Sequence, residues 1–458
     1  MYLSLRLNEQ RALLIVVDLF LVNLTTLLAL WIMAMRAGWA FDRDYLLDQL
    51  GWFIFISALW FFSAFLNGFY DPKRITDFET ATTALLRTVV MVIVVYIAIY
   101  FFFATPGSLP RGIVGYQGVA SFILISLWRI AYVWLIQRPA FARKVIVVGA
   151  GWAGQTIAQA IQQYASAHYQ VLGFVDDDPS KQVLGTSHDL VRLVKEQNVP
   201  EVILAITYDI GAPLFKALLE CKELGVQITP MPVLFEQLAG QVPIEHIGDN
   251  WFVALPLRSA EADGFYPVAK RAFDILSALV GLSVLVPFFP FIALAIYLDS
   301  PGPIFYTQER VGKGGKVFKL IKLRTMIPGA EADGQALRAQ TNDPRVTRVG
   351  RWLRKMRLDE MPQLINVLKG EMSAVGPRPE RPEHLAELDK VISFHRLRNA
   401  VKPGMAGWAV VNYDYIDSVE DARIRLQYDL YYIKHQSLWL DLFILLRTMG
   451  HTVALRGR

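Results

Sequence analysis

The first 140 residues are dominated by long apolar runs that short charged segments separate. Four uncharged runs of at least 17 residues occupy 19–35, 49–70, 88–110 and 112–128, the last continuing past Arg129 to 137. Because about 20 apolar helical residues cross a hydrocarbon core, residues 1–140 predict a four-helix transmembrane bundle. Lys and Arg concentrate before the first run, between the second and third, and after the fourth, so both ends should face the cytoplasm. We expect Arg129 to snorkel to the membrane surface, with a lipid-phosphate contact as the alternative.

From 141 to 258 the pattern changes to short strand-like runs that alternate with amphipathic segments. The run 144–148 is followed by Gly149, Gly151 and Gly154 in G-x-G-x-x-G spacing, which opens a helix. This context predicts an α/β Rossmann-like domain, since such glycines bring backbone N–H groups close to a phosphate. The expected ribose-binding acid is displaced, because the nearest candidates, 176–178, lie 27 to 29 residues beyond Gly149. We therefore expect a structural or regulatory domain, with nucleotide binding as the alternative.

Residues 259–458 open with another apolar run and then become basic. The run 275–298 holds 24 residues without a charge, enough to span a membrane. Pro287 and Pro290 lie at its centre, where they should break the helix, and basic residues flank both ends. A re-entrant membrane helix over about 270–298 satisfies both observations, and a kinked fifth span is the alternative. The rest of this region predicts an α+β monotopic catalytic domain.

Composition narrows the function classes. Hydrophobic residues make up 54% of the 458 residues, and the single cysteine, Cys221, excludes an internal disulfide and fits a reducing compartment. The net charge is +5, and 310–357 holds 13 Lys and Arg against three acids. Such a basic patch suits nucleic acid, an anionic membrane or a phosphorylated substrate. The neighbouring membrane segments favour the last two, so we expect no nucleic-acid partner.

The strongest candidate for chemistry is the adjacent pair Asp359 and Glu360. Four basic residues precede it within 351–357, and Pro362 suits the first turn of a helix that stops at Gly370. Neighbouring helical side chains diverge by about 100°, so one carboxylate should attack or bind metal while the other supports it. Carboxylates among arginines indicate a phosphate substrate whose charge a divalent ion shares. A helix N-cap aspartate beside a solvated basic face is the alternative.

Two further segments bear on the site and on the membrane. In the Gly-Pro-Arg-Pro sequence at 376–379 the prolines fix the backbone and preorganise Arg378 for bidentate phosphate binding. Lys319, Lys322 and Arg324, on or just after a predicted strand, are expected to line one basic edge. The tail 438–446 is amphipathic, and either membrane contact or core packing would explain it.

The sequence resembles the bacterial sugar transferases, the monotopic polyprenyl-phosphate hexose-1-phosphate transferases. The motifs that carry this resemblance occur in order through nearly the whole of 267–458. They are 270–274, 299–306, 308–312, 322–326, 342–348, 358–364, 376–380 and 402–408. The upstream bundle and Rossmann-like module look like those of the large subclass of this family.

The resemblance implies that a UDP-hexose, such as UDP-glucose or UDP-galactose, gives its sugar-1-phosphate to undecaprenyl phosphate and releases UMP. This step would initiate exopolysaccharide, capsule or O-antigen assembly. Asp359 is then expected to attack the β-phosphorus and form a phosphosugar-aspartyl intermediate, with Glu360 as its partner and Mg²⁺ at Asp359. The expected substrate-binding side chains are Lys322, Arg324, Arg354, Arg357 and Arg378. The family's helix break at a proline matches Pro287.

Two departures from the family pattern stand out. Val286 replaces the serine that often precedes the helix-breaking proline, so a side-chain hydrogen bond there is lost. Tyr413 follows Asn412 where small members carry a nucleotide-contacting arginine, which leaves the uridine-binding residue open. We expect a multi-pass protein of the bacterial inner membrane, with its catalytic domain on the cytoplasmic face, in contact with membrane lipids. A homodimer through the membrane or Rossmann-like parts is a further expectation.

Two other functions compete with transfer of a sugar phosphate. A membrane-tethered nucleotide-sugar oxidoreductase or dehydratase would use the glycine motif 149–154. A non-catalytic scaffold for polysaccharide assembly would use the Rossmann-like domain to bind partners or a second copy.

Overall fold

The structure, a computed structural model, describes most of the chain. The described residues are 7–38, 41–70, 78–103, 112–136, 142–178, 180–206, 210–244, 264–330, 343–413 and 418–453. The chain divides into two compact units, Met1–Ala239 and Gly240–Arg458. This division precedes residue 258, the predicted end of the middle domain, because Val242 and Ile244 pack in a core of the second unit. Residues 245–258 of the predicted middle domain lie outside the described residues.

Apolar helices form the amino-terminal part of the first unit. They are α1 (Leu7–Ala37), the short α2 (Arg43–Asp48), α3 (Leu50–Leu66), α4 (Phe78–Phe103) and α5 (Ile113–Ile136). Stretches of α1, α4 and α5 are long and apolar enough to cross a membrane, whereas α3, with 17 residues, is shorter than its predicted run. Buried side chains such as Leu30, Trp60, Tyr96 and Ile125 share one core. The sequence pattern therefore predicted the four main helices of the bundle.

Arg129 of α5 forms a buried ion pair. Its guanidinium lies 2.7 Å from Asp18 Oδ2 of α1, and the two side chains are 6% and 0% exposed. The guanidinium also sits 4.2 Å from the centre of the Phe69 ring. The prediction that Arg129 snorkels is wrong, because α1 supplies an internal counter-charge that makes burial tolerable.

The rest of the first unit is the predicted α/β domain with a parallel sheet of order β2-β1-β3-β4. Its elements are β1 (Arg143–Val148), α6 (Trp152–Ala165), β2 (Tyr169–Val175), α7 (Leu190–Gln197), β3 (Glu201–Leu204), α8 (Ala212–Glu223), β4 (Gln227–Pro230) and α9 (Met231–Ala239). Alternation along β1 sends Ile146 and Val148 into a core with α7 and α8. Val145 and Val147 pack on the opposite face with α6 and α9. The sheet is thus covered on both faces, as parallel sheets require.

The second unit begins with α10 (Tyr266–Asp299), a 34-residue helix that contains Pro287 and Pro290. The predicted break is wrong, since the helix continues through both prolines. Each proline removes one N–H donor and crowds the carbonyl four residues earlier, which bends a helix but need not end it. Those carbonyls belong to Ser283 and Val286.

The remaining elements of this unit form the predicted α+β domain. Antiparallel β5 (Phe305–Val311) and β6 (Val317–Leu323) make a hairpin, and β7 (Ser373–Val375) pairs in parallel with β8 (Gly404–Ala406). The helices are α11 (Arg348–Lys355), α12 (Gln363–Lys369), α13 (Pro382–Val391), α14 (Trp408–Asn412), α15 (Val419–Lys434) and α16 (Leu438–Val453). Asp441 and Ile444 of α16 are completely buried, so the carboxyl-terminal tail packs in the core rather than lying only on a membrane.

Candidate active site

The adjacent carboxylates lie in a tight turn between two helices. Asp359 and Glu360 belong to the 3₁₀ turn Leu358–Glu360, which Arg357 precedes with φ 54° and ψ 21°. A non-glycine residue adopts this left-handed conformation only where its surroundings hold it there. The residue that caps the amino terminus of α12 is Pro362, and Gly370 ends this helix with φ 84°. The predicted helix end is thus confirmed, whereas the alternative of an N-cap aspartate is wrong.

The structure brings seven sequence-predicted residues of the catalytic region into one cleft of about 870 Å³. The hairpin, the segment after it, α11, the 3₁₀ turn and the Gly-Pro-Arg-Pro segment each contribute. The residues are Lys322, Arg324, Arg354, Arg357, Asp359, Glu360 and Arg378. Lys319 does not border the cleft, because alternation along β6 turns it away from the face of Lys322.

Glu360 pairs with two of the cations in this cleft, Lys322 and Arg378. Lys322 Nζ lies 3.2 Å from its Oε1, and both terminal nitrogens of Arg378 bind its two oxygens. Burial alone would raise the pKa of Glu360, but Arg378 and Lys322 outweigh it and hold that pKa well below its usual value. The bidentate geometry predicted for phosphate at Arg378 is therefore formed with a carboxylate. Glu360 stays ionised and fixes both cations in place.

Asp359 contrasts with Glu360, because its pKa is raised rather than lowered. It is 9% exposed, and its carboxylate accepts no hydrogen bond from any residue that the structure describes. Burial, followed by repulsion from Glu360, raises the pKa of Asp359, although Lys322, Arg354 and Arg378 oppose the shift. A buried carboxylate that borders a cleft and has raised basicity is suited to attack an electrophile.

Two other predicted cations, Arg354 and Arg324, form contacts along the walls of the cleft. Arg354 Nε donates to Thr325 Oγ1 at 2.9 Å, and the charge of Arg354 opposes the rise in the pKa of Asp359. Arg324 is 7% exposed and donates to the carbonyls of Ser300 and Pro301, just after α10 ends. Arg324 therefore links the end of α10 to the cleft, a contact that the sequence did not reveal.

A magnesium ion fits this site only as a partner of substrate phosphates. Among the described residues, no three His, Cys, Asp or Glu side chains cluster as a metal site. Mg²⁺ is commonly bound through one or two carboxylates together with phosphates and water. Glu360 already pairs with two cations, whereas the Asp359 oxygens accept no hydrogen bond from the described residues, so Asp359 is the carboxylate that would bind the ion.

Sequence reasoning missed a second charged set that borders the same cleft. Glu380 pairs with Arg398 and Arg425, and Arg398 also pairs with Asp429. Arg398 and Arg310 donate to the carbonyls of Arg378 and Pro379, which holds the Gly-Pro-Arg-Pro segment. Glu380 lies in a motif quoted above, but its partners come from distant elements that no spacing connects.

The glycine turn of the middle domain is filled by the protein itself. Gly149 has φ +104°, and a Cβ at Gly154 would lie 2.0 Å from Gly149 O, so both positions need glycine. The Ala150 N–H donates to Asp176 Oδ2 at 2.7 Å, and Lys181 Nζ lies 3.0 Å from the same oxygen. A carboxylate thus occupies the position where Rossmann domains bind phosphate. The cavity there measures only about 60 Å³, which favours the structural interpretation of this domain.

Comparison with known proteins gave two family matches. Residues 265–454 match the bacterial sugar transferase family, and residues 65–232 match a CoA-binding domain family. The chain is 34% identical over 327 residues to the UDP-glucose:undecaprenyl-phosphate glucose-1-phosphate transferase of Escherichia coli K12, covering 70% of each chain.

A relative from Aeromonas hydrophila has a different sugar in its name. This UDP-N-acetylgalactosamine-undecaprenyl-phosphate N-acetylgalactosaminephosphotransferase is 39% identical over 241 residues, 53% of this chain and 56% of the relative. The undecaprenyl-phosphate glucose phosphotransferase of Komagataeibacter xylinus is 32% identical over 69% of this chain and 60% of its own length. The chain therefore spans less than two thirds of the length of these two relatives.

Proposed function

Because the chain belongs to the bacterial sugar transferase family, we propose that it transfers a hexose-1-phosphate from a UDP-sugar to undecaprenyl phosphate with release of UMP. The observation that carries this proposal is that Asp359 and Glu360, although adjacent, have different partners. Glu360 pairs with Lys322 and Arg378, and the Asp359 carboxylate beside the cleft accepts no hydrogen bond from the described residues. The relatives' names supply the substrate classes, a nucleotide sugar and a polyprenyl phosphate.

The first half of the reaction uses Asp359 as the nucleophile. A carboxylate oxygen of Asp359 attacks the β-phosphorus of the UDP-sugar while the bond to the bridging oxygen breaks. UMP leaves with the electron pair of that bond, and the sugar phosphate stays on Asp359 as an acyl phosphate. Lys322 and Arg378, which Glu360 orients, share the charge of the diphosphate.

The second half returns the enzyme to its starting state. An oxygen of undecaprenyl phosphate attacks the phosphorus on Asp359, and the carboxylate leaves as the new diphosphate bond forms. No proton has to be moved, because both nucleophiles are oxyanions. Mg²⁺ held by Asp359 and the diphosphate would lower the repulsion between these anionic reactants.

We also propose that α10 is a re-entrant helix on the cytoplasmic face. The two terminal nitrogens of Arg271 near its start donate to the carbonyls of Val367 and Leu368 at 2.7 Å. At its end, Asp299 accepts the Val349 N–H at 2.8 Å. Both ends of the helix are therefore fixed to the same compact unit.

Apolar contacts with that unit continue along α10. Leu282 packs beside α12, and Phe289 packs beside Leu323 and Leu353, which leaves only residues 283–288 between these contacts. A membrane-crossing helix needs about 20 residues clear of the soluble domain. The opposite face of α10 exposes apolar side chains, including Leu279, Val286 and Phe291. A proline can bend a helix without ending it, so α10 would bend between these contacts, enter one leaflet and return.

A nucleotide-release assay tests the proposal. Full-length protein in lipid is given Mg²⁺, undecaprenyl phosphate and a panel of UDP-sugars, and UMP is resolved from UDP. We expect UMP that depends on the lipid acceptor, and the productive donor identifies the sugar. Release of UDP would mean ordinary glycosyl transfer and would overturn the role given to Asp359.

A further inference from the structure

A charged set borders the cleft in addition to the residues around Asp359. This set, the Glu380 cluster, consists of Arg310, Glu380, Arg398, Arg425 and Asp429. It contains three guanidinium groups against two carboxylates, so it carries one surplus positive charge. Because most of it is buried, water compensates this surplus poorly.

Two arginines of the cluster are equally buried but differ in their partners. Arg398 is 5% exposed and donates to the Arg378 carbonyl at 3.0 Å and to Asp429 at 2.9 Å. Arg425 is 4% exposed, and its ion pair with Glu380 is 3.7 Å long, beyond hydrogen-bond distance. Its Nε has no acceptor within the described part of the chain. Arg425 is thus a buried cation with at least one N–H donor, at Nε, that no described residue satisfies.

The pKa values of these two arginines reflect the difference. Burial alone lowers both, but Asp429 and Glu380 reverse the effect for Arg398, whose pKa is raised. For Arg425 burial prevails, and its pKa stays below the usual value. A buried guanidinium normally has hydrogen-bonding partners for its five N–H groups.

Arg310, on strand β5 of the hairpin, likewise has a buried nitrogen without an acceptor among the described residues. It donates to the Pro379 carbonyl at 3.1 Å and to Gln308 at 2.7 Å, but its Nε is buried without an acceptor among the described residues. Burial lowers its pKa to about 10. Arg310 and Arg425 both line the cleft. The two Nε atoms are themselves enclosed by protein, so a ligand in this volume would contact the terminal nitrogens of the two guanidinium groups and the surplus charge of the cluster.

We propose that Arg425 and Arg310 form a second anion subsite in the cleft, which binds a phosphate other than the sugar phosphate that is transferred to Asp359. This inference rests on the proposed function. Two phosphates of that reaction have the required chemistry, the α-phosphate of the nucleotide and the phosphate of the lipid acceptor. Either would supply acceptors for the terminal nitrogens of Arg425 and balance the charge of the cluster.

The test is the Arg425→Met variant of the full-length protein in lipid. Binding of UMP is measured by calorimetry, and KM is measured separately for the UDP-sugar and for undecaprenyl phosphate. Losing a charge-assisted contact should weaken one of these affinities about 10- to 100-fold. Weaker binding of both UMP and the UDP-sugar identifies the nucleotide phosphate, and a rise in only the lipid KM identifies the acceptor phosphate. Unchanged affinity for all three ligands would overturn the proposal.

Two controls separate binding from folding. Arg423→Met removes a guanidinium of α15 that pairs with Glu420 and does not border the cleft, and it should change no affinity. Arg398→Met should lower the unfolding temperature, since it strands Asp429, whereas Arg425→Met should not. If Arg425→Met does not fold, Arg310→Met gives the same readout.

The measurement of UMP binding distinguishes failure of this inference from failure of the proposed function. If wild-type protein releases no UMP from any donor, the proposed function fails. Loss of UMP binding in the Arg425 variant would then still support the subsite, and unchanged UMP binding would leave it without a ligand and overturn it.

Discussion

The glycine turn of the middle domain and the cleft around Asp359 are both phosphate-binding patterns in the sequence, but they use their carboxylates in opposite ways. In the turn, Asp176 accepts the Ala150 N–H and pairs with Lys181, so the position for an anion is filled. In the cleft, Glu360 pairs with Lys322 and Arg378, while Asp359 accepts no hydrogen bond from any part of the chain that the structure describes. A phosphate-binding motif therefore indicates a functional site only where the protein's own carboxylates do not fill the position of the ligand.

The largest effect is expected from Asp359→Asn. The amide is nearly the same size but is a poor nucleophile, so UMP release should fall by about 10⁴-fold or more. The measurement is lipid-dependent UMP release together with the unfolding temperature, which should not fall. Activity near that of the wild type would remove Asp359 from its proposed role.

Glu360→Gln should lower UMP release by about 10²-fold, because Lys322 and Arg378 lose the charge that orients them. Initial rates at saturating substrate give this value. Glu387→Gln on α13, a residue that does not border the cleft, is the matched control and should behave like wild type. A fall in the control as large as that of Glu360→Gln would show a general effect of the substitution.

The pH dependence should shift between wild-type protein and Glu360→Gln. Asp359 acts as a carboxylate, so activity falls as pH drops through its pKa, which burial and then Glu360 raise above the usual value. Removing the negative charge at 360 lowers that pKa, and the acid limb of kcat/KM should move to lower pH. A shift to higher pH would contradict the electrostatic account of the pair.

The smallest effect on activity is expected from Asp176→Asn. It should leave UMP release unchanged while destabilising the middle domain by about 1–3 kcal/mol, the value of a buried hydrogen bond to a charged group. Asp178→Asn, at an exposed position of the same turn, should be nearly neutral. Titration of wild-type protein with NAD⁺ or coenzyme A should give no binding, and micromolar affinity would break the contrast between the two sites.

Local sequence patterns predicted much of the fold, since period-2 and period-3.6 burial act over neighbouring residues. The strand at 144–148 and the helix stop at Gly370 were predicted correctly for this reason. Arg129 was misjudged because its partner, Asp18, is 111 residues away. The prolines of α10 were misjudged because losing two N–H donors does not end a helix whose face packs against the domain.

The same distinction between local patterns and distant partners applies to the candidate site. Asp359, Glu360 and Arg378 lie in short motifs whose chemistry is visible in the sequence. Arg310, Arg398 and Arg425 come from separate elements, and only the fold shows that they meet at Glu380. Charge balance in a cleft is a property of three-dimensional packing, and no sequence spacing encodes it.

The central claim is that Asp359 carries the sugar phosphate between the two half-reactions. The most direct measurement is to give the protein UDP-sugar and Mg²⁺ without undecaprenyl phosphate, quantify UMP, and determine the mass of the peptide that contains Asp359. We expect UMP equivalent to about one per active site and a mass increase of one hexose phosphate on Asp359. If UMP appears only after the lipid is added and Asp359 stays unmodified, the transfer is direct and the account is wrong.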